Sequence, residues 1–430
     1  MNINNLTIFT SSVCNLNCTY CYVKKEKAVF DYDTAVVSSI LNNEYINRFK
    51  TDFPESVNSL TRLEFWGAEP SIHLDLMAEK LKDFKEAFPN LNQIFMSSNY
   101  SLPTFIDKVK LFIDAMANLS NTKWTFHLQC SIDGSEEITD GNRGKGTTQA
   151  ILLNLNKLKE LDMPDNVNLI VCNKATIARE SYDDLVNIEF CENYFNFLKN
   201  ALDYKGKNKD FSFAAPTCVE PMYYTKSDGL KFSQIIENFI ILSHKYNYHF
   251  VPYVRNRKYK LSEYMKGGLC GQCSSAMVML PDNTYGVCSR SGFDIIPEHH
   301  AVKVKELKND FDRELISRDA WIKDINGYKQ LRYNMTTFYE TRTKAMFHEL
   351  YNTAKVLLAI GEISNEYIND DLLKKHIQLF ARFTTCMQTN KELTGSYFCC
   401  SSYFLPLFFN GAMTKLYNYA KEKGLLEEGN

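Results

Sequence analysis

The 430-residue chain contains no apolar run near the roughly 18 residues that span a bilayer, so no membrane partner is expected. Its opening, MNINNLTIFT, has no basic start, apolar core or small-residue cleavage site of a secretory signal, and the expected compartment is the cytoplasm. Charge of neither sign is in excess. Lys and Arg number 49 against 51 Asp and Glu, for a net charge of -2, and no basic run stands out. A nucleic-acid partner is therefore not expected. Internal repeats and low-complexity linkers are also lacking. What is present is a globular composition, 45% hydrophobic and 23% charged, on a chain longer than one ordinary domain. A core of roughly 200 to 250 residues with an appended module is the first expectation. Cysteine is plentiful: thirteen, an odd number, which under reducing conditions read as metal ligands or core residues rather than as a disulfide framework.

Short β-rich runs alternate with longer helical patterns through the first half, which predicts an α/β fold built on a parallel sheet. Strands are expected at 6–10, 62–66, 93–98, 125–132, 167–171 and 211–215. Helices are expected at 33–49, 74–88, 102–119, 147–161, 181–199 and 230–245. Six such units make a partial (β/α)6 barrel of the TIM type, with chemistry at the carboxyl ends of its strands. Near residue 251 the pattern changes to a Gly- and Cys-containing, hairpin-like segment at 267–293. Mostly helical sequence follows, with a long helix over 320–360 and further helices at 370–382 and 403–424. Residues 1–250 and 251–430 are thus two expected domains.

The stretch SSVCNLNCTYCY places Cys14, Cys18 and Cys21 just after the first strand. Zinc sites close with four ligands, whereas three thiolates on a cubane iron-sulfur cluster leave one iron open to a small molecule. This CxxxCxxC loop resembles the defining motif of the radical S-adenosylmethionine (SAM) superfamily, down to the aromatic Tyr20 before the third cysteine. The resemblance implies a [4Fe-4S] cluster that cleaves SAM to a 5'-deoxyadenosyl radical, with the protein supplying orientation and exclusion of water. LEFWGAEPSI after the second strand resembles the family's Gly-Gly-Glu-Pro segment. Gly67, Ala68 and Glu69 fall on it, and Glu69 is implied to meet the SAM ammonium. Ala68 replaces the second glycine, which suits a position needing close approach but not positive φ. LQCSIDGSEEITDGNRGKGT resembles the Ser-x-Asp-Gly segment of the branch with extra clusters. It implies that Ser131 and Asp133 lie by the ribose and Arg143 by the methionyl carboxylate. Ser97 and Asn99 stand where relatives carry a Thr-Asn-Gly turn, and backbone at Ala215 is implied to approach the adenine.

In the second module Cys270, Cys273, Asn283 and Cys288 resemble the first half of the SPASM and twitch domains, with Asn283 in place of a glycine in a left-handed turn. An auxiliary [4Fe-4S] cluster is implied. Its fourth ligand would be Cys386, Cys399 or Cys400, of which Cys386 is favoured. Cys130, Cys172, Cys191 and Cys218 read as core, and the pair His299 and His300 as solvated.

The implied activity is a radical SAM oxidoreductase that modifies a peptide or protein substrate, fed by an external donor of flavodoxin or ferredoxin type. Sulfatase maturases of this branch place an aspartate base directly after the last cysteine of the auxiliary segment. This chain has Ser289 there, which puts peptide modification ahead of that reaction and of small-molecule dehydrogenation. No catalytic side chain is assigned. A structural or sensing iron-sulfur or zinc protein is the alternative of another class, and it would have no use for Glu69 or Arg143.

Overall fold

The computed structural model describes residues 2–21, 28–119, 121–177, 181–212, 275–286 and 324–360, with pieces of one to three residues elsewhere, among them 218–219 and 321–322. β1 (Asn5–Ser11) leads through the cysteine loop to α1 (Ala28–Leu41) and α2 (Glu44–Asp52). β2 (Arg62–Gly67) is followed by a 3-10 turn and α3 (Leu74–Ala87), and β3 (Gln93–Ser98) by α4 (Phe105–Asn118). After β4 (Trp124–Cys130) come α5 (Glu136–Arg143) and α6 (Thr147–Glu160). After β5 (Val167–Asn173) come β6 (Thr176–Ile177), α7 (Tyr182–Leu185) and α8 (Ile188–Leu202). The remaining elements are β7 (Tyr204–Gly206), β8 (Lys209–Ser212), β9 (Cys218–Val219), β10 (Ala276–Met279), β11 (Tyr285–Gly286), β12 (Trp321–Ile322) and α9 (Ile325–Ala359).

Ten strands form one sheet in the order β12-β11-β10-β1-β2-β3-β4-β5-β8-β7, and β6 pairs with β9 alone. From β10 to β8 every pairing is parallel, and among the described residues antiparallel partners occur only at the two flanks. The fold is therefore mixed α/β on a parallel sheet, as in a partial barrel. β10, from beyond residue 251, is hydrogen-bonded in register to β1, Asn5 opposite Ala276 and Ile8 opposite Met279. Among the described residues no helix is long and apolar enough to cross a membrane.

One face of the sheet is core. Leu63, Phe65, Ile94, Met96, Phe126, Leu128, Leu169 and Val171 are all buried. The alternating positions are more open and largely polar: Arg62 and Glu64 on β2, Gln93 and Phe95 on β3, Thr125 and His127 on β4. A parallel sheet covered on both faces reads as near-continuous apolar sequence, so this alternation marks a face left for something other than helices. Arg62 pairs with Glu64 at 2.8 Å and lies over the Phe95 ring. Burial, with the Arg62 charge nearby, pushes the His127 imidazole down to about 4, so it stands neutral near pH 7.

Several boundaries differ from the sequence expectation for local reasons. The helix expected at 33–49 is two, broken where Asn43 takes φ 55, a left-handed conformation that asparagine tolerates. The helix expected at 181–199 also divides, because Asn187 caps α8 by accepting from the N–H groups of Glu189 and Phe190. The fourth strand ends at Cys130 rather than 132, since the Ile132 N–H turns to the Asn173 side chain at 3.0 Å. The glycine-rich stretch after it is helical over α5, capped by Ser135. The sixth predicted strand starts at Lys209, and positions 213–215 lie outside the described residues. Most of the helices expected at 230–245, 370–382 and 403–424 also lies outside them. Asn283, between β10 and β11, takes φ 68, the left-handed turn its place in the pattern called for.

Candidate functional site

The loop from β1 is fixed to the end of β2 by backbone. A Cβ on Gly67, which has φ 144, would lie 2.0 Å from the Ser11 carbonyl oxygen, so only glycine permits this approach. The Ala68 N–H donates to Ser11 O at 2.9 Å and the Glu69 N–H to Val13 O at 3.0 Å. Positive φ falls on Gly67 and not on Ala68, so alanine fits the second position.

Cys14, Cys18 and Cys21 are half-buried on this one loop. The Cys14 sulfur accepts from the Leu16 N–H at 3.3 Å and from Asn99 Nδ2 at 3.6 Å. Burial first, then the Glu69 charge, pushes the Cys14 thiol up to about 12, and the charges of Cys21 and Cys18 add to the shift. Among the described residues no three His, Cys, Asp or Glu side chains converge on a single ion. A cluster does not require such convergence, because each thiolate binds a different iron around a cube. Three neighbouring thiols, one already receiving two N–H groups, fit a three-cysteine cluster better than a closed zinc site.

Glu69 lies 2% exposed at the end of β2, where it caps the 3-10 turn Pro70–His73. Its Oε1 accepts from Ser71 N–H at 3.1 Å and Ser71 Oγ at 2.5 Å, and its Oε2 from the Asn99 N–H at 2.8 Å. Among the described residues no Lys, Arg or His pairs with it. Burial raises its carboxyl above the ordinary range, against hydrogen bonds that pull the other way. Asn99 also joins its side chain to Asn15 at 2.9 Å, so one residue touches both the carboxylate and the cysteine loop.

At the end of β4, Asp133 and Arg143 meet in a two-toothed ion pair, Nε to Oδ2 and Nη2 to Oδ1, both 2.8 Å. Both residues are buried. The Tyr20 hydroxyl donates to Asp133 Oδ2 at 2.5 Å, and the guanidinium lies 5.5 Å from the Tyr20 ring centre. The Thr176 N–H completes the set on Oδ1 at 2.9 Å. Ser131 donates to the Ser98 carbonyl at 3.2 Å. Ser97 is half-buried on β3, opposite Gln129. Cys130 and Cys191 are buried core, and Cys172 is half-buried. Ala215, Cys270, Cys273, Cys288 and Cys386 lie outside the described residues, as do the alternatives Cys399 and Cys400, the Cys218 side chain, and His299 and His300.

A second anchor of the loop has no motif to announce it. Asp33 of α1 accepts from Ser12 N–H at 3.0 Å and Ser12 Oγ at 3.1 Å, and its other oxygen meets His73 Nε2 at 3.0 Å. His73 stands four residues after Glu69, which is the one hint the sequence offers. Asn142 is a further unforeseen partner, its carbonyl accepting from the Thr19 N–H at 2.9 Å.

Residues 8–185 match the family profile described as the Radical SAM superfamily. No curated protein matches the chain. Among solved structures, that of Streptococcus suis SuiB bound to S-adenosylmethionine matches with 15% identity and a TM-score of 0.37, over 67% of this chain. The match spans 59% of SuiB's own length. The matched residues 8–185 contain the cysteine loop, Glu69 and the Tyr20, Asp133 and Arg143 group, so the part of the chain that is similar to the Radical SAM superfamily is the part that carries the candidate site.

Proposed function

We propose that the chain is a radical SAM enzyme whose domain binds a [4Fe-4S] cluster at Cys14, Cys18 and Cys21 and modifies a peptide or protein substrate by hydrogen abstraction. The observation that carries the reading is the buried carboxylate of Glu69, which among the described residues meets neutral donors and no cation, beside three neighbouring thiols. Burying a carboxylate is costly unless it is paired, and the ammonium of SAM supplies the missing charge. When bound, the cluster and SAM together supply an electron and a hydrogen-abstracting radical. Glu69 holds the ammonium end, and Asn99 keeps Glu69 and Cys14 in one frame. The open sheet face bearing Arg62, Phe95 and His127 is the wall on which substrate would lie. Peptide modification as the reaction class rests on the sequence: the Cys270, Cys273 and Cys288 pattern resembles the auxiliary-cluster branch, and Ser289 stands where a maturase base would be. On this reading Cys386 completes one auxiliary cluster and a small electron-transfer protein reduces the enzyme.

The test is anaerobic purification, reduction with dithionite and addition of SAM. Wild-type protein should be brown and release 5'-deoxyadenosine. Replacing Cys14, Cys18 and Cys21 together by Ala should remove one cluster's iron and abolish that product. Retention of all the iron by the triple variant would sink the assignment.

A further inference from the structure

We propose that Tyr20, Asp133 and Arg143 form a clasp holding the cysteine loop against the end of β4, so that in this chain Asp133 and Arg143 are positioning residues for the loop rather than contacts to the ribose and carboxylate of SAM. The carboxylate is fully occupied. Asp133 Oδ1 accepts from Arg143 Nη2 and Thr176 N–H, and Oδ2 from Arg143 Nε, the Tyr20 hydroxyl and, at 3.5 Å, Asn142 Nδ2. A carboxylate offers about four lone-pair directions, so five donors leave none for a ribose hydroxyl. Two of the guanidinium's five N–H groups are committed to the same carboxylate. Its fork closes on Asp133, one face is turned to the Tyr20 ring, and its side chain is 8% exposed. Turning Arg143 to an outside carboxylate would leave Asp133 buried without its cation, which is the expensive way to break a buried pair.

The clasp reaches the cluster loop because Tyr20 sits directly before Cys21 and two residues after Cys18. A second tether runs to the same helix, from the Thr19 N–H to the Asn142 carbonyl of α5. Two successive loop residues are thereby bound to the β4–α5 connection, and the spacing of Cys18 and Cys21 is set from there.

The proposal rests on the proposed function for its iron and SAM readouts, and amide exchange in the iron-free chain is independent of it. Tyr20→Phe removes one hydroxyl and leaves the ring against Arg143, so the fold should survive. In iron-free full-length protein, amide exchange across residues 14–21 should quicken at least tenfold, with α3 unchanged as the internal control. In reconstituted protein, iron loss to a chelator should be several-fold faster. Arg143→Lys keeps the charge but loses the fork. It should quicken the same exchange while changing the dissociation constant for SAM less than threefold. Wild-type exchange in Tyr20→Phe would overturn the clasp. So would an Arg143→Lys protein that binds SAM more than tenfold more weakly with the loop unmoved. A wild-type protein that takes up no iron would defeat the radical SAM reading instead, and exchange in the iron-free chain would still decide the clasp.

Discussion

Two buried carboxylates stand at the strand ends, and their surroundings are opposite. Asp133, at β4, meets a guanidinium fork, a phenol and a backbone N–H, so its charge is neutralised within the chain. Glu69, at β2, meets two backbone N–H groups and the hydroxyls of Ser71 and Ser98, and among the described residues its charge is held but not neutralised. An ion pair completed inside the protein contributes to structure. A buried charge without a partner destabilises the unloaded fold and becomes favourable only when a cation arrives. On the proposed reading Asp133 serves architecture and Glu69 a ligand, although both fall on segments that resemble motifs of one family.

The largest expected effect breaks the architectural half. Asp133→Asn removes one partner of a buried pair, and loss of about 3 to 5 kcal/mol of stability is expected, read as a lower urea midpoint in iron-free protein. Glu69→Gln should behave in the opposite way. It keeps an oxygen to cap the turn and loses the unpaired charge, so the iron-free protein should be as stable as wild type or more so. The loss should fall on binding instead, where a hydrogen bond to a charged group is worth about 1.5 to 3 kcal/mol, roughly tenfold to a hundredfold in SAM affinity. If the two variants exchanged effects, the comparison would be inverted.

The strand ends were legible in the sequence because their motifs are short and local. CxxxCxxC, Gly67 to Glu69, and Ser131 to Asp133 each lie within a few residues of a strand's end, and β1 to β5 fall where alternation placed them. The pairing of Asp133 with Arg143 and Tyr20 was not legible. It joins residues 113 and 10 positions apart through a helix, α5, whose Asp-Gly-Asn run reads as loop. The Asp33, Ser12 and His73 anchor was hidden for the same reason, being a contact across 40 residues with no spacing rule. The joining of β10 to β1 escaped as well, because a four-residue strand gives no sign of which edge it will extend.

The smallest effect sharpens the comparison most, because it follows the charge of Glu69 alone. Its carboxyl is raised above the ordinary 4.5 by burial. Between 4.5 and the raised value the folded chain holds a proton that the unfolded chain has released. Stability of the iron-free protein should therefore fall as pH rises through that window, and level off above it. The Cys14 thiol beside Glu69, held up at about 12, stays protonated throughout and adds no slope of its own. Subtracting the urea midpoints of Glu69→Gln from those of wild type at each pH isolates this contribution, since every other titrating group is common to both. The difference should slope downward toward higher pH. SAM affinity of the loaded wild-type protein should rise over the same window, because only the ionised carboxylate attracts an ammonium. A flat difference curve would mean that Glu69 finds its counter-charge within the chain, and the asymmetry between β2 and β4 would disappear.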